Sequence, residues 1–260
     1  MTGTAPRTHA QLEGEGPLIV MIHGIGASTE SWAGLVPLLK DRFACLSYDL
    51  RGHGRSEVVP GRYELDAYVD DLAALMDDRG IAAGHLAGHS LGGVIAQAFA
   101  LKFPERTKSA ILVSTAACRT PEESEAILGL ARTVEREGAD FIMERAMERW
   151  FTPAFQAAHP EVIARRKARV LETDPNAFAN AFRIYAESEL GEELHRIAAP
   201  TLILTGENDV GSNPRIAKAM AERIPGAELE IFPELRHAVL LEDPALVAAR
   251  IAAFVTKLEA

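Results

Sequence analysis

The residues with the clearest chemical potential lie at positions 88–92, which read Gly-His-Ser-Leu-Gly. A strand-like segment precedes them and a helix-like segment follows, so Ser90 is predicted to lie on a sharp strand-to-helix turn. Such a turn strains its central residue, and the flanking positions must be small for strand and helix to approach each other. Gly88, Gly92 and Gly93 meet this requirement. The pattern predicts Ser90 as a nucleophile; the alternative is an ordinary serine in a glycine-rich packing turn.

A serine hydroxyl needs a base to take its proton, and a histidine base needs a carboxylate to fix its tautomer. Residues 206–209 read Gly-Glu-Asn-Asp after one predicted strand, and His237 follows the last predicted strand. We predict Asp209 as the carboxylate from its loop position. Glu207 is the alternative, and an Asx turn or a helix cap would explain Asp209 structurally. His89 adjoins the nucleophile and is predicted to pack in the turn rather than catalyse.

Acyl transfer also needs two hydrogen-bond donors aimed at the oxygen that becomes negatively charged. The turn supplies one, the backbone N–H of Leu91. Residues 23–26 read His-Gly-Ile-Gly after the first strong strand, and we predict the N–H of Ile25 as the second donor. This loop lacks the Lys-Ser/Thr ending of a P-loop and a full G-x-G-x-x-G pattern. The sequence therefore favours an oxyanion hole over a nucleotide site.

These residues must be positioned by strands whose carboxyl ends meet at one edge of a sheet. Apolar runs rich in β-forming residues predict strands at residues 18–23, 43–48, 85–87, 110–113, 201–204 and 229–232. Apolar spacing and end signals predict helices at residues 31–40, 63–79, 91–102, 214–224 and 244–258. This alternation predicts an α/β fold with a mostly parallel sheet flanked by helices.

Three segments depart from this alternation. Between residues 115 and 199 the pattern is largely helical, which predicts an inserted helical cap and leaves residues 1–114 and 200–260 as the core. The segment before Leu18 is too short for a full N-terminal hairpin, so we expect a trimmed sheet edge. The polar loop at residues 49–56 is best explained as a buried loop held by ion pairs and hydrogen bonds, rather than as catalytic.

Composition limits the classes of partner. The chain has 27 basic and 37 acidic residues and a formal charge of -10, which disfavours nucleic acid or an anionic membrane surface as partner. Cys45 and Cys118 have no metal-ligand spacing, so a disulfide framework or a cysteine zinc site is not predicted. Residues 1–15 lack a secretory pattern, and the uncharged run at 81–101 contains four glycines. We expect a cytoplasmic protein, with a homodimer left open, that acts on a small molecule.

Residues 23–24, 49–56, 88–93 and 206–209, with His237, together resemble the α/β-hydrolase superfamily over essentially the whole chain. The resemblance implies a sheet of up to eight strands, a helical cap and no cofactor, with no metal at the site. It also places the oxyanion donors at Ile25 and Leu91. Because Ser90 occupies the turn, the haloalkane dehalogenase and epoxide hydrolase branches, which use Asp there, are disfavoured.

Within that superfamily, residues 91–101, 114–123 and 149–155 are most similar to the 3-oxoadipate enol-lactonase group. The chain departs from the group at residues 188–190, which read Ser-Glu-Leu, and at 210–212, which read Val-Gly-Ser. The resemblance implies hydrolysis of a small ester or lactone through an acyl-serine. Two alternatives stay open: a C–C bond hydrolase of ring-cleavage products, and a ligand sensor that keeps the fold without turnover.

Metabolic lactones of this type carry a free carboxylate, which one arginine can bind through two hydrogen bonds. The predicted cap offers several arginines, among them Arg132, Arg136, Arg145, Arg149 and Arg183. We select Arg149, with Trp150, as substrate contacts, since this stretch is apolar enough to line a pocket. The alternative is an arginine that is solvated or paired with an acid elsewhere in the cap.

Overall fold

The computed structural model describes residues 6–260, so residues 1–5 of the polar N-terminal segment lie outside the described residues. The strands are β1 Ala10–Glu13, β2 Leu18–Ile22, β3 Ala44–Tyr48, β4 Gly84–His89, β5 Thr107–Val113, β6 Thr201–Gly206 and β7 Glu228–Phe232. They form one sheet in the order β1-β3-β2-β4-β5-β6-β7, in which only β1 runs antiparallel to its neighbour. The mostly parallel sheet predicted from the sequence is confirmed.

Helices flank this sheet. They are α1 Val36–Leu39, α2 Leu65–Asp78, α3 Leu91–Lys102, α4 Pro121–Glu137, α5 Met143–Trp150, α6 Pro153–Ala158, α7 Pro160–Leu171, α8 Pro175–Glu187, α9 Pro214–Arg223, α10 Val239–Glu242 and α11 Pro244–Glu259. Within residues 6–260, no helix combines the length and the apolar character needed to span a bilayer.

Apolar side chains alternate along the strands and face two layers of helices. On one face, residues such as Val20 and Leu86 pack against α2, α3 and α9. On the other face, Ile19 and Ala87 pack against α1 and α11. This period of two is what a sheet buried on both faces requires.

The order of the strands creates a crevice beside β2. The chain leaves β2 for β3 on one side and later crosses to β4 on the other side. The loops that follow β2 and β4 therefore diverge at the carboxyl edge of the sheet, which is where ligands bind in open α/β sheets. Ile22 at the end of β2 pairs with Gly88 in β4, so the loop at residues 23–26 and the Ser90 turn begin side by side.

The cap helices, α4–α8, occupy the sequence between β5 and β6. Their apolar residues form a cluster that also includes Ile25 and Ala238, from loops at the carboxyl ends of the strands. The cap helices therefore cover that edge of the sheet. We propose that residues 115–199 form the inserted cap and that residues 1–114 and 200–260 form the core.

One sequence-based expectation needs correction. The helix predicted at residues 31–40 is a 3-10 turn at Thr29–Trp32 followed by the four-residue α1. Gly34, which packs against Pro244, separates the two, and glycine is a weak helix former. At the amino-terminal edge, residues 6–17 contain one edge strand, β1, and no hairpin, which agrees with the trimmed edge expected; the strand itself was not identified from the sequence.

The loop at residues 49–56 is held by polar contacts, as predicted. Arg51 forms an ion pair with Asp71 through two bonds of 2.6 Å. The buried Asp49 accepts the backbone N–H of Thr29 at 2.7 Å. These contacts explain the loop without a catalytic role.

A second polar cluster lies near the amino ends of β4 and β5. We call it the buried trio; it consists of the buried His85 and Ser109 and of Glu259, which is partly exposed. His85 Nδ1 lies 2.8 Å from Ser109 Oγ, and His85 Nε2 lies 3.0 Å from Glu259 Oε1. Lys108 also donates to Glu259 at 2.8 Å. Ser109 and His85 are fully buried, and the trio joins the last turn of α11 to the sheet.

Candidate active site

Ser90 occupies the tight turn between β4 and α3. Its backbone has φ 55° and ψ −117°, a conformation that L-residues rarely adopt. A Cβ on Gly88 would lie 2.1 Å from the carbonyl oxygen of Gly92, and a Cβ on Gly92 would lie 2.1 Å from that of Ile22. The small residues predicted on either side of Ser90 are therefore required by close backbone approach.

Asp209 and His237 meet at the same edge of the sheet. Asp209 Oδ2 lies 2.7 Å from His237 Nδ1, and Oδ1 accepts the N–H groups of Gly211 and Ser212, each at 2.9 Å. Glu207 instead accepts the N–H of Glu234, on the exposed side of the loop. The structure therefore brings Asp209, and not Glu207, to the histidine.

The environment of Asp209 keeps its carboxylate ionised. Burial by itself would raise the pKa of Asp209, but His237 and the N–H donors of Ser212 and Gly211 outweigh burial and lower it. The carboxylate fixes the proton of His237 on Nδ1, which leaves Nε2 with the lone pair that a general base needs.

The loop that carries His237 is held from several sides. His89 Nε2 donates to the carbonyl of His237 at 3.1 Å, and the N–H of Ala238 donates to the carbonyl of Trp150 at 2.9 Å. Burial lowers the pKa of His89 to about 3, so His89 is neutral. Arg236 donates to the carbonyl of Phe151 at 3.1 Å. His89, which the sequence predicted to pack in the turn, thus supports the loop that carries His237.

A cavity of about 380 Å³ opens above these groups and is lined by Ser90, Asp209 and His237. Its volume falls in the range of small-molecule sites. The apolar lining residues include Ile127, Leu130, Ile142, Phe178, Phe182, Leu240 and Leu241. Phe141 is 65% exposed and marks the mouth. Ser90 Oγ makes no hydrogen bond to residues 6–260, so its hydroxyl is free to meet a ligand.

The loop at residues 23–26, for which the sequence predicts an oxyanion donor and which we therefore call the oxyanion loop, borders Ser90. A Cβ on Gly24 would lie 3.1 Å from Ser90 Cβ, and Ile25 lines the cavity. Leu91 is the first residue of α3, so its N–H has no partner within the helix. The N–H of Ile25 makes no hydrogen bond within the described part of the chain. Both predicted donors are therefore available beside Ser90.

The predicted substrate contacts lie on the cavity wall. Arg149 and Trp150 line it, and the Trp150 ring centroid is 6.3 Å from that of His237. Three of the other arginines considered form ion pairs: Arg132 with Glu125, Arg136 with Glu137 and Arg183 with Glu187. The fourth, Arg145, also lines the cavity but is exposed, whereas Arg149 is half-buried; neither forms an ion pair with residues 6–260.

Arg166 of α7 was not predicted from the sequence as a residue of the site. Its guanidinium lies over the Trp150 ring at 4.9 Å and lines the cavity. Arg166 lies in a basic run, residues 165–169, whose charged members look alike in the sequence, but helical spacing distinguishes Arg166 from Arg165. Val162, Arg166 and Val170 recur every four residues and share one face of α7, whereas Arg165 is exposed. That periodicity was the available signal.

The arrangement has the parts of nucleophilic acyl transfer. A hydroxyl on a strained turn, a histidine oriented by a buried carboxylate and two free N–H groups surround one apolar cavity. In the absence of a bound ligand such hydrogen bonds are often long, so the free hydroxyl of Ser90 is compatible with this chemistry.

Comparison with known proteins agrees with this geometry. The model of the alpha/beta hydrolase family matches residues 19–250. The chain is 29% identical to 3-oxoadipate enol-lactonase 2 of Acinetobacter baylyi over 228 residues, which is 88% of this chain and 84% of the relative.

Two solved structures extend the similarity. A thermophilic esterase from Thermogutta terrifontis with malate bound is 32% identical, with a TM-score of 0.90 and coverage of 100% of this chain and 97% of the other. The enol-lactonase from Burkholderia xenovorans is 28% identical, with a TM-score of 0.88 and coverage of 96% and 97%. From the family match over most of its length, the chain belongs to the alpha/beta hydrolase family.

Proposed function

We propose that the protein is a serine hydrolase that cleaves a small ester or lactone through an acyl-Ser90 intermediate. The observation that carries this proposal is the bond of 2.7 Å between Asp209 and His237, made beside a cavity that also contains the strained Ser90. The similarity to an enol-lactonase and an esterase supports the same reaction class.

The proposed reaction has two halves. Ser90 Oγ attacks the carbonyl carbon while His237 Nε2 takes its proton, and the oxygen of the tetrahedral intermediate accepts the N–H groups of Ile25 and Leu91. The intermediate then expels the alcohol or enol oxygen, which takes the proton from His237. Water repeats the sequence on the acyl-serine, releases the acid and restores Ser90. Asp209 stabilises the imidazolium in both halves.

The cavity supports a substrate that has an apolar body and a carboxylate. Its wall is mainly apolar, yet Arg149 presents an uncompensated charge beside Trp150. The related Thermogutta esterase has malate bound, a dicarboxylate. We propose that Arg149 and Trp150 contact the substrate, with Arg149 binding its carboxylate.

A screen of the purified protein tests the reaction class. The substrates are p-nitrophenyl acetate, enol-lactones and ring-cleavage dienoates, with Ser90→Ala as the control. The proposal expects turnover of the ester or a lactone by the wild type alone. Turnover of dienoates without esters or lactones would identify a C–C hydrolase, and saturable binding without turnover would identify a sensor.

The role of Arg149 is tested with a carboxylated lactone and its methyl ester. We expect the wild type to prefer the acid, because a guanidinium binds a carboxylate through two charged hydrogen bonds. Arg149→Ala should lower kcat/KM for the acid by about 10- to 100-fold and leave the methyl ester almost unchanged. Equal wild-type rates on the two substrates would contradict carboxylate recognition.

A further inference from the structure

Arg166 connects the cap helices to the oxyanion loop. From α7, its Nη2 donates to the carbonyl of Ile25 at 3.0 Å, and its Nη1 donates to the carbonyl of Gly26. These two carbonyls belong to consecutive residues of the loop that carries one of the proposed oxyanion donors. A residue about 140 positions away in sequence therefore holds the backbone beside Ser90.

The conformation of the loop depends on support from outside it. Gly26 has φ 59°, and a Cβ there would lie 2.9 Å from the ring of Phe178 on α8. Within the loop itself, His23 Nδ1 lies 2.7 Å from the carbonyl of Gly24. The carbonyls of three successive residues thus meet side-chain donors: one bond comes from His23 of the same loop, and two come from Arg166. Arg166 supplies both bonds that fix the peptide groups on either side of Gly26.

The guanidinium of Arg166 is suited to this role and has no other evident partner. It forms no ion pair with residues 6–260, and the face of Trp150 lies 4.9 Å away. Burial, with the charge of Arg169, lowers the pKa of Arg166 to about 10, which leaves it charged at neutral pH. Enclosing a cation is costly unless its donors are satisfied, and a planar fork can reach two adjacent carbonyls as a lysine cannot.

We propose that Arg166 is a positioning residue that holds the oxyanion loop from the cap, so that the N–H of Ile25 faces the tetrahedral intermediate. This inference rests on the proposed serine hydrolase function. It assigns Arg166 to transition-state stabilisation of every substrate, through the loop, and leaves recognition of a substrate carboxylate to Arg149.

The test uses p-nitrophenyl acetate, a neutral substrate, so that loss of an anion contact cannot lower the rate. Arg166→Met should lower kcat/KM by about 10²- to 10³-fold, the effect of losing one oxyanion donor, mainly through kcat. Arg166→Lys should recover only part of the loss. Arg165→Met is the matched control, because Arg165 is the exposed neighbour on the same helix, and it should stay close to the wild type.

A boronic acid inhibitor separates positioning from general destabilisation. It forms a tetrahedral adduct with the serine, so its affinity for Arg166→Met should fall by the same factor as kcat/KM, while Tm and KM change little. If Arg166→Met does not fold, the same measurements on Arg166→Lys provide the test, since lysine keeps the positive charge but lacks the planar guanidinium that reaches both carbonyls.

Three results would overturn the inference. They are wild-type kcat/KM in Arg166→Lys, unchanged boronic acid affinity in an impaired variant, and a loss confined to carboxylated substrates, which would make Arg166 an anion-binding residue. Any of these leaves the serine hydrolase proposal standing if Ser90→Ala remains inactive. Absence of wild-type turnover would instead remove the proposed function itself.

Discussion

Residues 6–260 contain two arrangements of serine, histidine and carboxylate, and these differ in how far their side chains are already engaged. In the buried trio, both ring nitrogens of His85 have partners and Ser109 has no exposed surface. At the candidate site, His237 has only its Nδ1 bonded, to Asp209, and the hydroxyl of Ser90 is free beside a cavity. Residue types alone therefore do not separate the two arrangements; the free hydroxyl and the free ring nitrogen at the candidate site support the proposed roles of Ser90 and His237.

Position in the fold explains the difference. The buried trio lies near the amino ends of the strands, where side chains close the packing between the sheet and α11. The candidate site lies at the carboxyl ends, beside the point where the chain changes direction between β2 and β4. Diverging loops leave space there, and the backbone strain of Ser90 places its side chain at that space.

The sharpest test of this comparison is to remove each serine. Ser90→Ala should lower turnover by on the order of 10⁴-fold or more, because the attacking atom is lost. Ser109→Ala should keep the wild-type kcat and lower the free energy of unfolding by about 1–3 kcal/mol, since His85 loses a buried partner. Kinetics and urea unfolding of both variants measure the two effects. Comparable turnover in the two variants would contradict the assignment of Ser90.

Replacing the carboxylate of each arrangement should also have different effects on kcat. The loss at the candidate site should be somewhat smaller than the loss in Ser90→Ala. Asp209→Asn should lower kcat by on the order of 10³- to 10⁴-fold, because the imidazole loses the group that fixes its tautomer. Glu259→Gln, in the buried trio, and Glu207→Gln, two residues before Asp209, should stay within a few-fold of the wild type. A larger loss in Glu207→Gln than in Asp209→Asn would move the acid two positions upstream.

Lowering the pH should decrease the free energy of unfolding, because several buried histidines stay neutral in the folded chain. Burial lowers the pKa of His85, lowers that of His23 to about 4 and lowers that of His53 to about 3. The unfolded chain takes up these protons near pH 6.5, whereas the folded chain does so only at lower pH. The stabilisation is therefore complete above about pH 6.5 and is lost as the pH falls from there towards 4, by up to about 1.4 kcal/mol per pH unit for each histidine.

Urea unfolding at pH 7.5 and pH 5.5 measures this loss. His53→Gln removes one such group. The slope of the free energy of unfolding against pH should therefore be smaller in this variant than in the wild type, by up to about 1.4 kcal/mol per pH unit, which corresponds to one proton. Equal slopes in the variant and the wild type would show that His53 does not contribute. Activity should also fall in acid, because His237 must be neutral to accept the proton of Ser90.

The sequence predicted the parts of the site whose signal is local. Glycines around Ser90 and the strand-end positions of Asp209 and His237 specify the turn and loops within a few residues. The loop position favoured Asp209 over Glu207, and the structure adds the N–H groups that orient Asp209. The donors at Leu91 and Ile25 were expected from the turn and from the glycine-bearing loop, and the resemblance to known hydrolases placed them at the same positions.

What escaped prediction depends on distant packing. The helix expected at residues 31–40 is interrupted because Gly34 meets Pro244, more than two hundred residues later. Strand β1 is short and half exposed, so its residues carry no buried β pattern. Arg166 lies in a basic run; helical spacing sets it apart from Arg165, but its bonds to the carbonyls of Ile25 and Gly26 join residues about 140 positions apart and could not be read from the sequence.

The contacts between the cap helices and the two loops below them also bear on how this enzyme scaffold can be re-engineered. Arg166 holds the carbonyls of Ile25 and Gly26, and Trp150 accepts the N–H of Ala238. A cap transplanted from a relative to broaden substrate range would remove these bonds unless the donor cap supplied equivalents. If Arg166 has the positioning role proposed above, selectivity and rate are coupled in this chain, and a chimaera with a new cap would need compensating changes in both loops before it turns over quickly.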